Sequence, residues 1–148
     1  MTVLSMLLGL FGCGEKEQIT VTSVEAMTLT LHGMRGSYVY KFEREDDTTE
    51  VRRYRVVYSG EEDELALEAR VPCSMQTLTE LMNTCDIPRW NGFHGKHPKN
   101  VSDGIMFDFT AEINGGLTIR ADGSANYPKG YSEFVRALDE MLANSEKE

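Results

Sequence analysis

Between Ile19 and Val71 apolar and polar side chains change places at almost every step, and this period of two narrows the choice of fold more than any other feature of the chain. Tyr38, Tyr40 and Phe42 alternate with Val39, Lys41 and Glu43. Tyr54, Val56 and Tyr58 alternate with Arg53, Arg55 and Val57, and Leu65, Leu67, Ala69 and Val71 alternate with Ala66, Glu68 and Arg70. Successive side chains of a strand point to opposite faces, so such runs are strands with one buried and one wet face. Ile19 to His32 adds an earlier strand, with Met27, Leu29 and Leu31 facing one way. The links at His32–Gly36, Glu45–Thr49 and Ser59–Asp63 carry Gly, Asp, Ser and Thr, the residues of tight turns. The first half therefore reads as a four-stranded antiparallel meander. If neighbours pair, Lys41, Glu43, Arg53, Arg55, Glu68 and Arg70 share one solvated face as cross-strand ion pairs, so the arginine cluster is no anion site.

The period then changes. Met75, Leu78, Leu81, Met82 and Cys85 recur at helical spacing, giving a helix from about Ser74 to Cys85. Cys73 and Cys85 bracket it. Twelve helical residues span ~18 Å, beyond the ~7 Å that a disulfide tolerates between Cα atoms. Two buried thiols are expected. A long loop, 86–104, follows, then strands at Ile105–Ile113 and Leu117–Ala121 joined by Asn114-Gly115-Gly116. Asn-Gly between alternating runs is a strong hairpin signal. Tyr131, Phe134, Val135, Leu138, Met141 and Leu142 form the stripe of a closing helix. The expectation is an α+β domain over residues 19–143, with an antiparallel sheet of about six strands, two helices on one face and the order β-β-β-β-α-β-β-α. Residues 144–148 read as a frayed tail.

Residues 1–14 carry no charge, whereas the whole chain has a formal net charge of −9. The run is shorter than the ~20 apolar residues a membrane-spanning helix needs, but it suits the apolar region of a secretory signal. Leu10-Phe11-Gly12-Cys13 resembles a bacterial lipobox, with a bulky Phe11 and no preceding Lys or Arg as departures from the pattern. On that reading residues 1–12 are a signal peptide, Cys13 is lipidated and 13–18 are a lipid-anchored tether. The resemblance implies a diacylglyceryl anchor, and two acyl chains hold a protein firmly to a bilayer. The other reading of the segment is an N-terminal core helix or strand, Val3 to Phe11, of an untargeted cytoplasmic domain. Nucleic acid is excluded as a partner by the acidity, since phosphates demand a basic face.

Trp90-Asn91-Gly92-Phe93, Asp103-Gly104, Gly123-Ser124 and Tyr127-Pro128, followed by the final helix, resemble in order the C-terminal half of a group of small, uncharacterised bacterial lipoproteins. The resemblance covers roughly residues 72–143. It implies an envelope address and the strand–helix order, and it carries over no functional residue.

The loop 86–104 is where function is expected, because long loops within compact domains are often functional. His94, His97 and Asp103 could ligate a transition metal, although they lie on a Gly- and Pro-interrupted loop and not on a helix. Trp90 and Phe93, with Tyr127 and Tyr131, could form an aromatic surface for sugar or peptide; alternatively Trp90 caps the core. No Gly-x-Ser-x-Gly elbow occurs, and Asp122–Asn126 reads as a turn. The chain thus reads as a non-catalytic lipoprotein on the extracytoplasmic face of a bacterial membrane. It would be held to the bilayer through an acylated cysteine, need no cofactor, and bind or support another envelope component, protein or glycan. A metal-dependent hydrolase using the 86–104 loop is the alternative activity.

Overall fold

A computed structural model of the chain describes residues 19–34, 36–45, 47–60, 62–101 and 104–146. Cys13 and Asp103 lie outside them. The described residues form an α+β domain: strands β1 (Val24–Gly33), β2 (Gly36–Glu45), β3 (Thr48–Ser59) and β4 (Glu62–Pro72), helix α1 (Met75–Thr84), a 3₁₀ turn (Ile87–Trp90), strands β5 (His94–Gly95), β6 (Met106–Ile113) and β7 (Leu117–Ser124), and helix α2 (Tyr131–Glu146). The sheet runs β4-β3-β2-β1-β6-β7-β5. Its pairs are antiparallel except β5 with β7, which is parallel. This two-residue strand, set within the long loop, makes the sheet mixed and seven-stranded. The last helix also continues through Asn144 to Glu146.

Between β4 at one edge and β5 at the other, the chain crosses the width of the sheet through α1 and the 3₁₀ turn. Ser74 caps α1, its Oγ accepting from Thr77 N at 3.1 Å, and Leu78 and Met82 are buried beneath it. Asn83 ties the helix to the segment entering β1, donating to Val21 O at 3.0 Å and accepting from Val21 N at 2.8 Å. In the three-residue link Asn114-Gly115-Gly116, Asn114 and Gly115 have φ 53° and 79°, in the left-handed region that Asn and Gly enter most readily. Cys73 and Cys85 are free and buried, as their helical separation demands, and burial raises both thiol pKa values.

The helices cover one face. There Leu29 stands opposite Phe109, and Phe109 meets Phe134 of α2 and Trp90 of the 3₁₀ turn edge-to-face. The other face is open. The helix-side position opposite Tyr40 in β3 is Arg53, not Tyr54, because the register pairs Tyr40 with Arg53 and Lys41 with Arg52. This corrects the face assigned from sequence: Tyr54, Val56 and Tyr58 lie on the open face, and Val51 is the β3 residue fully in the core. A one-residue shift of register exchanges every side chain between faces. In β4, Arg53 pairs with Ala69 and Tyr54 with Leu67, leaving Glu68 as the extra residue of a bulge. Leu65 and Leu67 are thereby turned to the open face, where they are 46% and 50% exposed.

The expected ladder of charges is divided accordingly. On the open face Arg52 binds Glu43 at 2.7 Å, Glu45 at 3.1 Å and Glu50. On the helix side Arg53 bridges Glu68 at 2.9 Å and Asp139 of α2 at 3.2 Å. Pairs at the surface contribute a few tenths to ~1 kcal/mol each, and these are partly covered, with Arg52 and Arg53 side chains 16% and 22% exposed.

The two faces predict opposite outcomes for residues of similar hydrophobicity. Phe109→Ala should destabilise the domain by about 3–5 kcal/mol through loss of buried area and a residual cavity. Leu67→Ala should cost under ~1 kcal/mol, in line with surface substitutions. Urea unfolding followed by circular dichroism measures both; equal losses would contradict the facing described here.

Candidate functional site

Two concave regions flank the end of the sheet formed by the β1–β2 turn and the start of β6. On the helix side an apolar groove runs between β1 and α2. Leu31 and Ile105 form the middle of it. A depression of ≈ 470 Å³ extends from them toward Met34 and Tyr38, and one of ≈ 650 Å³ toward Tyr131 and Val135. Tyr127 stacks on Tyr131 with centroids 4.5 Å apart and planes 11° from parallel, and its hydroxyl donates to Ile105 O at 2.8 Å.

Of the four aromatic residues singled out in the sequence, these two reach the groove. Trp90 is 1% exposed and belongs to the core, with Nε1 donating to Lys129 O at 2.8 Å. Phe93 is half-buried and packs toward Phe107, 6.3 Å between centroids.

The second region lies on the open face, in a depression of ≈ 550 Å³ lined by His32, His94, His97, Asp108, Asp122 and Ser124 among others. All three histidines of the chain meet there. Strand alternation places Asp122 and Ser124 on the same face of β7, and the parallel pairing of β5 sets His94 beside Asp122. His94 Nδ1 bonds Asp122 Oδ1. His97 Nδ1 lies 2.8 Å from Ser124 Oγ, and its Nε2 bonds the carbonyl of Val101. Asp122, read from sequence as part of a turn, is instead within β7, where Asp108 is its cross-strand partner. Like charges set opposite one another are unfavourable, and His94 offers Asp122 a partner.

The backbone here is held tightly. A Cβ at Gly123 would stand 2.2 Å from Asn126 O and one at Gly95 2.5 Å from the same atom, so both close approaches require glycine. Ala125, directly after Ser124, has φ 51°. A left-handed non-glycine residue costs of order 1 kcal/mol or more and persists only where its surroundings fix it.

His94 and His97 lie in one depression with His32, Asp108, Asp122 and Ser124, four residues that sequence reasoning missed. Counting outward from the three-residue turn Asn114-Gly115-Gly116, with Ile113 opposite Leu117, would have placed Asp108 opposite Asp122. No comparable signal exists for His32, more than sixty residues distant from His94 in sequence. Among the described residues no group of three or more His, Cys, Asp or Glu side chains could hold a metal ion.

A small recess beyond the groove joins Tyr38, Tyr40, Arg53, Glu68 and Asp139. The Tyr40 hydroxyl donates to Asp139 Oδ1 at 2.7 Å. Burial first, then this bond and the Asp139 charge, raise the Tyr40 pKa well above the ordinary tyrosine range. Tyr131 is raised by burial and by the neighbouring Tyr127 and Asp139.

Comparison with protein-family models, with curated proteins and with solved structures returned no match.

The raised tyrosines fix a pH dependence. A tyrosine ionises near pH 10 in the unfolded chain and higher in the folded one, so its contribution is intact below about pH 10 and is lost as pH rises through the folded value. Stability should fall steeply above about pH 10. Tyr40→Phe should weaken that fall while costing about 1 kcal/mol at neutral pH for the lost hydrogen bond. Thermal unfolding of both proteins across pH 7 to 11 checks this; identical alkaline slopes would contradict it.

Proposed function

We propose that the protein is a membrane-tethered module of the bacterial cell envelope, acylated on Cys13 at the extracytoplasmic face, whose groove between β1 and α2 receives an apolar segment of another envelope protein. The observation that carries this reading is the groove itself. Ile105, Tyr127 and Val135 leave apolar surface open above Leu31 in a molecule with a formal net charge of −9, and open apolar concavities mark binding sites. The apolar lining favours protein side chains over a glycan.

The tether rests on the uncharged residues 1–14 and the lipobox-like Leu10–Cys13. A covalent anchor suits a domain in which no helix among the described residues is long and apolar enough to cross a membrane. The core of the domain draws on residues from Val21 to Leu142. The groove lies at the Gly33 end of β1 and Ile19 at the other, about 30 Å away along the strand, so a tether would join the domain at the end of β1 opposite the groove.

Expression of the full chain in a bacterium fed an alkyne fatty acid tests the anchor. Wild type should take up the label and sediment with membranes, and Cys13→Ala should do neither; an unlabelled wild type would overturn the tether and favour an untargeted domain. The groove is tested separately with 1-anilinonaphthalene-8-sulfonate. The dye should bind with enhanced fluorescence, most of which Ile105→Asp removes. Undiminished fluorescence in that variant would place the apolar site elsewhere.

A further inference from the structure

We propose that Ser124 and His97 form a nucleophile–base pair that hydrolyses small carboxylic esters in the open-face depression. The proposal goes beyond the tethered binding module and departs from the non-catalytic reading of the sequence. The two residues stand 27 positions apart and meet only because β5 pairs with β7.

An activated serine needs a base within hydrogen-bond reach and a third group that fixes the tautomer of that base. Both are present. With Nε2–H donated to the Val101 carbonyl, Nδ1 carries the lone pair and accepts the Ser124 Oγ–H at 2.8 Å. Asp122 holds His94 and not His97, so the backbone carbonyl takes the orienting role.

The position of Ser124 is also prescribed by its backbone. Gly123 before it allows Asn126 O to approach, and Ala125 after it is held left-handed. Strain of this kind gathers at functional sites. Lys96, which lines the same depression, offers a cation to a developing oxyanion, and Met106 offers an apolar wall to an acyl chain. The depression is broad enough for a small ester and open to the water that deacylation requires.

The steps balance without a further reactant. Ser124 Oγ bonds the ester carbonyl carbon while its proton passes to His97 Nδ1. The tetrahedral species collapses, the carbon–alkoxide bond breaks, and Nδ1–H returns the proton to the departing alcohol. Water then attacks the acyl-serine, His97 taking its proton and giving it to Ser124 as the acid leaves.

A fluorophosphonate probe reads the first step alone: the Oγ–P bond forms, fluoride leaves, and the serine proton passes to His97. Incubated with the purified full chain, it should place one adduct per molecule on Ser124, located by peptide mass spectrometry. Ser124→Ala should abolish the adduct, and His97→Ala should slow it about 100-fold or more, the range of general-base assistance. Ser132→Ala, an exposed serine on α2, should change nothing. Hydrolysis of p-nitrophenyl acetate should follow the same order. Circular dichroism establishes that each variant is folded. The proposal fails if Ser124 in wild type reacts no faster than Ser132, or if His97→Ala reacts as wild type does.

Discussion

Burial of Trp90 is the constraint on which both concave regions depend. The indole is nearly inaccessible, meets Phe109 and Phe134 edge-to-face at 5.1 and 5.7 Å, and donates to Lys129 O. Through it the 3₁₀ turn is fastened at once to β6, to α2 and to the segment leading into α2. Ring contacts of this geometry add about 0.5–1.5 kcal/mol each beyond the area they bury. The chain leaving Trp90 is therefore delivered to β7 at a fixed place. There Gly92 N donates to Arg120 O at 2.9 Å and Asp122 N to Phe93 O at 3.0 Å, and β5 follows. Without that anchor the histidines of the long loop would have no set position over Asp122 and Ser124.

A seven-stranded sheet covered by two helices leaves one face to water, and the rest of the architecture answers that condition. The open face carries Lys41, Glu43 and Arg52 on the β2–β3 side and the histidines and aspartates on the β6–β7 side. Its exposed apolar residues include Tyr58, Leu65 and Leu67 of β3 and β4. A long edge strand invites pairing with other chains. In β4 the bulge at Glu68 and the run Glu62-Asp63-Glu64 oppose it. The bulge breaks the alternation that a regular partner strand would need, and the acids repel a second copy.

Much of the fold was legible in the sequence because it rests on local rules. The meander follows from period-two runs separated by turn residues, the hairpin from Asn114-Gly115, and α1 and α2 from their apolar stripes. The buried fate of Cys73 and Cys85 follows from helix geometry alone. What local pattern could not supply was register. Tyr54, Val56 and Tyr58 alternate as cleanly as core residues do, and only the pairing with β2 shows that Arg53 occupies the helix side. The displacement of Leu65 and Leu67 comes from one inserted residue. The site was legible in part: the long loop identified His94 and His97, and Tyr127 and Tyr131 proved to line a groove. Ser124 escaped notice because its partner arrives through a two-residue parallel strand, too short to leave a periodic trace.

The central claim is spatial: the loop after Trp90 is folded back so that His94 rests on Asp122 and His97 on Ser124. Nuclear Overhauser contacts in the full chain test it most directly. The account predicts cross-peaks from the His97 ring protons to the Ser124 β-protons and from the His94 ring to the Asp122 β-protons. It predicts too that Trp90→Ala removes them while the β1–β2 contacts of Leu29 with Tyr40 remain. Histidine ring protons without any contact to β7 in the wild type would contradict it.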